Sequence, residues 1–129
     1  MAVDAQTLSD LEFNTIREWC ASYAKAPTAF ERLTELQPIT NFNEIVYQLD
    51  KTNEFLKIRT EGETFPQLDF EELTDEIRLL PIKNASIALD GFMRIHLASE
   101  LVNRLIYFFD KRETEYPLLN SSLGKVYHT

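Results

Sequence analysis

The chain has 129 residues, 44% of them hydrophobic, enough for one domain with its own core. Its net charge of -8, from 21 acidic and 13 basic side chains, argues against direct nucleic-acid binding, because phosphate recognition needs clustered lysine and arginine. The single cysteine excludes an internal disulfide, and no apolar run approaches the roughly 18 residues of a membrane span, so a cytoplasmic protein with no membrane partner is expected.

The start, Met1-Ala-Val-Asp4, lacks the basic-then-apolar order of a signal peptide. A buried hook, Leu11-x-Phe13, is expected to lead into a first helix from about Asn14, a good N-cap, to about Ala24. Ile16, Trp19, Cys20 and Tyr23 fall on one side of it, which reads Cys20 as a small core or near-core residue rather than a reactive thiol. Pro27 suits the first turn of a second helix carrying Phe30, Leu33 and Leu36, and Pro38 closes it, because the residue before a proline is pushed out of the helical region.

Asn41 and Glu44 have capping-box spacing, so a long helix is expected to run to about Thr60. Its predicted core stripe is Phe42, Ile45, Leu49 and Leu56, widened by Val46, Phe55 and Ile58. Glu61-Gly62-Glu63 ends the helix, and Thr64-Phe65-Pro66-Gln67 reads as loop. A fourth helix fits Phe70 to Leu80, with Asp69 as cap, Phe70, Leu73, Ile77 and Leu80 inward, and Pro81 as terminator. The segment Ile82 to Leu89 is open between loop, short helix and strand.

Asp90 reads as the N-cap of the most hydrophobic helix, which runs to about Asp110. Leu97, Leu101, Leu105 and Phe108 form one ridge on it, and Ala98, Val102, Ile106 and Phe109 form a second. Two adjacent ridges exceed a simple surface stripe, so this helix is expected to be central and to touch neighbours on more than one side. The fold class that follows is all-α, an irregular bundle of about five helices around the helix at 90–110. Residues 1–110 are expected as a single helical domain and 111–129 as a loosely held tail or the start of a further element.

The chain carries no recognisable signature of nucleotide binding or nucleophilic catalysis. Gly124-Lys125 is followed by Val126 and has no upstream glycine of a phosphate loop, so neither ATP hydrolysis nor a cofactor is expected of this chain. There are two histidines, His96 and His128, and nothing marks either as catalytic. His96 and Glu100 are four apart on a helix, but they share a polar strip with Asn103, Arg104 and Tyr107, which favours a solvated pair over a metal site. Glu71-Glu72 and Asp75-Glu76 stand in the first turns of a predicted helix, where negative charge complements the dipole without any acid-base role. Lys111-Arg112, followed by Glu113 and Glu115, reads as a solvated helix end.

Several blocks, in their order, resemble the amino-terminal region of the MutS family of DNA repair ATPases, in the MutS-II-like branch without the mismatch-reading domain. They are Leu11 to Ala21, Phe30 to Pro38, Asn41 to Ile45, Leu49-Asp-Lys-Thr52-Asn-Glu-Phe55-Leu56, Leu68-Asp-Phe70-Glu-Glu-Leu73, and Leu89 to Phe109. Relatives tend to have a more glycine-rich turn where Glu61 to Gln67 has one glycine. The resemblance implies that the chain is a piece of a larger parent, and that ATP, magnesium and DNA are handled by the rest of it. The role implied for this piece is mechanical, packed helices transmitting motion between DNA-holding and ATP-binding parts, with weak or absent DNA binding of its own.

One face needs two readings. Leu101, Leu105, Phe108 and Phe109 either form core or, in a piece of a larger protein, an uncovered docking surface that could pair two copies. The alternative to the MutS-like role is accordingly a free-standing helical protein-protein interaction module using that surface.

Overall fold

In a computed structural model, residues 3–124 and 126 are described. Among them the chain is all-helical, with seven helices and no strand. They are α1 (Ala5–Asp10), α2 (Phe13–Ser22), α3 (Pro27–Thr34), α4 (Phe42–Thr60), α5 (Thr74–Leu79), α6 (Leu89–Asp110) and α7 (Pro117–Ser122). Contacts divide the chain into two compact units, Met1–Gln48 and Leu49–Thr129, and the division falls within α4.

In the first unit α2 packs against α1 and α3. Asp4 caps α1, its Oδ1 accepting from the Thr7 amide at 2.7 Å. Glu12, in the left-handed region at φ 52°, makes the corner into α2. Arg17 fastens the chain beyond α3 to α2, donating to the Leu36 carbonyl at 3.0 Å and to Asn14 Oδ1 at 2.9 Å. Pro27 takes the first-turn position of α3, as its fixed φ and missing N–H favour.

The inward face of α2 is not the predicted one. Ala21 is its buried residue, flanked at helical spacing by half-buried Phe13, Arg17 and Ala24. Trp19 is 66% and Tyr23 82% exposed, and Ile16, Cys20 and the hook residue Leu11 are exposed as well. The physical reason is that short helices in close contact place a small alanine at the buried position, which turns the neighbouring aromatic rings outward.

Asn41 caps α4, with its Oδ1 accepting from the Glu44 amide at 3.0 Å, and the Glu44 carboxylate turns forward to Gln48 Nε2 at 2.7 Å. The helix ends at Thr60, and Gly62, at φ 72°, supplies the left-handed turn beyond it. Its buried side chains are Glu54 and Ile58, whereas Phe42, Leu49 and Leu56 of the predicted stripe are exposed.

The core of the second unit is Ile58, Phe108, Phe109 and Tyr116, with Phe55, Phe65, Leu105, Leu119 and Leu123 packed around them. Phe65 belongs to the predicted loop but is its central ring, standing edge-on to Phe55 at 5.3 Å, Phe108 at 5.1 Å and Phe109 at 6.0 Å. Such contacts add ~0.5–1.5 kcal/mol each beyond the area they bury.

Three local expectations are corrected here. The fourth helix starts at Thr74 rather than Phe70, because the Glu72 carboxylate accepts from the Thr74 amide at 3.1 Å and from its hydroxyl, while Asp69 is taken by Gln67 Nε2 at 2.6 Å. Asp90 lies in the first turn of α6, whose N-cap is Ala88. Residues 111–124 are not a loose tail, since Tyr116 is only 1% exposed and α7 packs on α6.

Candidate functional site

Most of the second unit's polar architecture serves to close that core. Glu54, buried on α4, accepts from the Leu118 amide through Oε1 at 3.1 Å and from the Leu119 amide through Oε2 at 2.9 Å. It thereby satisfies the free N–H groups of the first turn of α7. The Tyr116 hydroxyl donates to Glu61 Oε2 at 3.1 Å, and burial, then this carboxylate, push its pKa up to about 12. Arg112 donates to Glu63 Oε2 at 2.8 Å and to the Phe108 carbonyl at 3.1 Å, with its guanidinium 4.1 Å from the Phe108 ring centre. It is therefore no solvated helix end. Lys111 bonds the Tyr107 hydroxyl and lowers that group's pKa.

Leu101, Phe108 and Phe109 are buried, and Leu105 packs on the cluster that holds Phe108 and Phe109. These four side chains are core in the second unit, not an uncovered face. Both predicted ridges of α6 contribute buried residues, Leu101 and Phe108 from one and Ile106 and Phe109 from the other.

A second cluster lies where α5 meets α6. Glu76, buried, pairs with Arg94 Nη2; Asp90 Oδ2 lies 3.2 Å from Arg94 Nη1 and Glu71 Oε2 4.0 Å from its Nε. Gly91 makes the close approach possible, for a Cβ there would stand 2.8 Å from Glu76 Oε1 and 3.0 Å from Ile87 Cγ2. The Arg94 hydrogen bond holds the Glu76 carboxyl below its ordinary range. The Gly91 amide, followed by Arg94, does the same for Asp90, and Glu76 in turn raises Arg94.

Alongside runs an open groove of about 610 Å³ lined by Glu71, Leu89, Asp90, Met93, Arg94 and Leu97. A general acid needs a carboxyl raised toward neutrality, and the shifts here run the other way. The guanidinium is held by three carboxylates and is poorly placed to take up a phosphate.

The remaining candidates are simple. His96 Nε2 lies 3.8 Å from Glu100 Oε1, both side chains solvated, and Arg104 Nη2 is 3.4 Å from Glu100 Oε2. Asp75 lies 4.0 Å from Arg78, both highly exposed. Among the described residues no group of His, Cys, Asp and Glu is arranged to hold a metal ion. His128 and Lys125 fall outside the described residues. Within that same range no helix is long and apolar enough to cross a membrane.

Sequence reasoning passed over Glu54, Arg94 and Tyr116, and gave Glu76 only a place in a helix's first turn. One signal was present for Glu54, a carboxylate four residues before Ile58 on the same helical face. No comparable signal marked the others, whose partners lie on different elements.

The chain is distantly similar to MutS2 proteins. It is 25% identical over 88 residues to the endonuclease MutS2 of Aquifex aeolicus, covering 68% of this chain and 11% of that protein. It is 26% identical over 119 residues to the endonuclease MutS2 of Clostridium beijerinckii, covering 91% of this chain and 15% of that protein. The chain thus spans a small fraction of the length of these curated relatives. No family model matches it, and no solved structure does.

Proposed function

We propose that this chain is a non-catalytic helical region of a MutS2-like protein, corresponding to its amino-terminal part, which mechanically couples the DNA-holding and ATP-binding parts of the parent. The observation that carries this reading is the similarity to a MutS2 protein along 91% of an all-helical chain. On this reading, nuclease and ATPase chemistry belong to other regions of the parent, and contact with DNA is made through them. The ion pairs of Arg94 with Glu76 and of Arg112 with Glu63, each joining separate elements, support a load-transmitting element, and the net charge of -8 opposes a phosphate-binding one.

Fluorescence anisotropy of labelled duplex and branched DNA, titrated with the chain, tests the second half. Weak binding abolished by moderate salt is expected, and tight binding overturns it. The coding sequence after Thr129 tests the first half: an in-frame phosphate-loop motif a few hundred residues downstream supports it, and an immediate stop codon overturns it.

A free-standing interaction module is favoured by a single observation, the exposed apolar edge of α6 at Leu89, Met93 and Leu97. Its docking face would be that edge, since the Leu101 to Phe109 surface is core.

A further inference from the structure

We propose that the groove between α6 and the segment preceding α5 receives a basic amphipathic helix of a partner protein. Its floor is Leu89, Met93 and Leu97, which are 78%, 49% and 56% exposed and stand four residues apart along α6. At ~1.5 Å per residue this ridge is roughly 12 Å long, and side chains at i, i+4 and i+8 form the kind of ridge into which a second helix packs.

The rim supplies the sign of the partner. Glu71 and Asp90 expose 77% and 74% of their side chains, while the one guanidinium of the cluster, Arg94, is drawn to buried Glu76. Three carboxylates around a single cation leave the rim negative, so lysine or arginine flanking an apolar ridge is the complementary chemistry. Nucleic acid is repelled by the same rim, and a second copy of this chain carries a net charge of -8. The groove is open to solvent, which suits a helix better than an enclosed small molecule.

The test uses the whole chain and two fluorescent synthetic helices that share one leucine ridge and carry either lysine or glutamate on its flanks. Anisotropy should show saturable binding of the lysine peptide and none of the glutamate peptide. The double variant Met93→Gln, Leu97→Gln should weaken binding roughly tenfold or more, because central apolar side chains dominate such interfaces. Glu71→Lys should weaken it, while Glu31→Lys, an exposed reversal on α3, should not. Circular dichroism of each variant checks that the helices persist. Equal binding of the glutamate peptide, indifference to the Met93 and Leu97 changes, or equal loss from Glu31→Lys overturns the proposal. So does light scattering that shows a dimer converted to monomer by the double variant, which would assign the groove to a second copy.

Discussion

Glu54 Oε2 accepts a hydrogen bond from the Leu119 amide at 2.9 Å, across a sequence separation of 65 residues. A buried carboxylate on the long helix α4 thus acts as the N-terminal cap of α7, and its other oxygen takes the Leu118 amide. This relationship turns a short helix with no capping side chain of its own into part of the core.

Removing that carboxylate should therefore loosen the end of the described chain. Glu54→Ala is expected to destabilise the fold by about 1–3 kcal/mol, since two amides lose their acceptor in a buried place. Glu54→Gln, which keeps one acceptor oxygen, should have a smaller effect. Urea unfolding gives the stability change, and amide hydrogen exchange at Leu118 and Leu119 should accelerate in the alanine variant.

Gly91 is expected to be intolerant of a methyl group. An alanine there gains helix propensity, at most ~1 kcal/mol and less in a first turn, but forces its Cβ against Glu76 and Ile87. Overpacking typically costs about 1–3 kcal/mol, so Gly91→Ala should be net destabilising. In a double-mutant cycle with Glu76→Ala part of that effect should disappear, because the nearer of the two groups in the way is gone while Ile87 remains.

The alkaline limb of stability should depend on Tyr116. Its folded pKa is raised from 10.0 to about 12, so the folded state holds this proton longer than the unfolded chain does. The resulting stability is fully present below about pH 10 and is lost as the pH rises to about 12. Tyr116→Phe should lose the Glu61 hydrogen bond, roughly 1 kcal/mol at neutral pH, and then show a flatter decline above pH 10. Thermal melts across this range read both effects.

On the acid side the sign reverses. Glu76 and Asp90 have folded pKa values below their ordinary 4.5 and 3.8, so their contribution is present above those values and is lost as the pH falls through the depressed ones. Arg94→Met should flatten the acid limb of a stability profile while leaving the alkaline limb unchanged. An unchanged acid limb would show that the α5–α6 cluster does not couple to folding.

Trp19, the single tryptophan, should report on the outer face of α2. Its emission should be red-shifted and readily quenched by a soluble quencher, and Trp19→Ala should change stability by less than about 0.5 kcal/mol, as for an ordinary surface substitution. A blue-shifted, protected emission would show that this face is covered in solution.

Helix identity and many helix ends were legible in the residues. The Asn41 cap, Pro27, Pro81 and the Asp90 to Asp110 pattern all lie where the corresponding helices begin or end, within a residue or two. These signals are local: a cap, a proline or a left-handed glycine acts on amides no more than about four positions away. The α5 start failed for a local reason as well: Glu72 bonds the Thr74 amide and hydroxyl, Asp69 bonds the Gln67 side chain, and the N-cap is Leu73.

Which face of each helix is buried is another matter. Trp19, Leu49 and Leu56 had the spacing of core residues and are exposed, whereas Glu54, Phe65 and Tyr116 are held inward or packed on the core. Alone, the sequence determined an all-helical chain, the extent of its two long helices and an acidic balance of charge. The tertiary structure decided the core, the Glu54 cap and the Arg94 groove, because each depends on a partner surface brought in from a distant element. An apolar stripe states only that something should cover it, and hydrogen bonds spanning 49 to 65 residues decide what does.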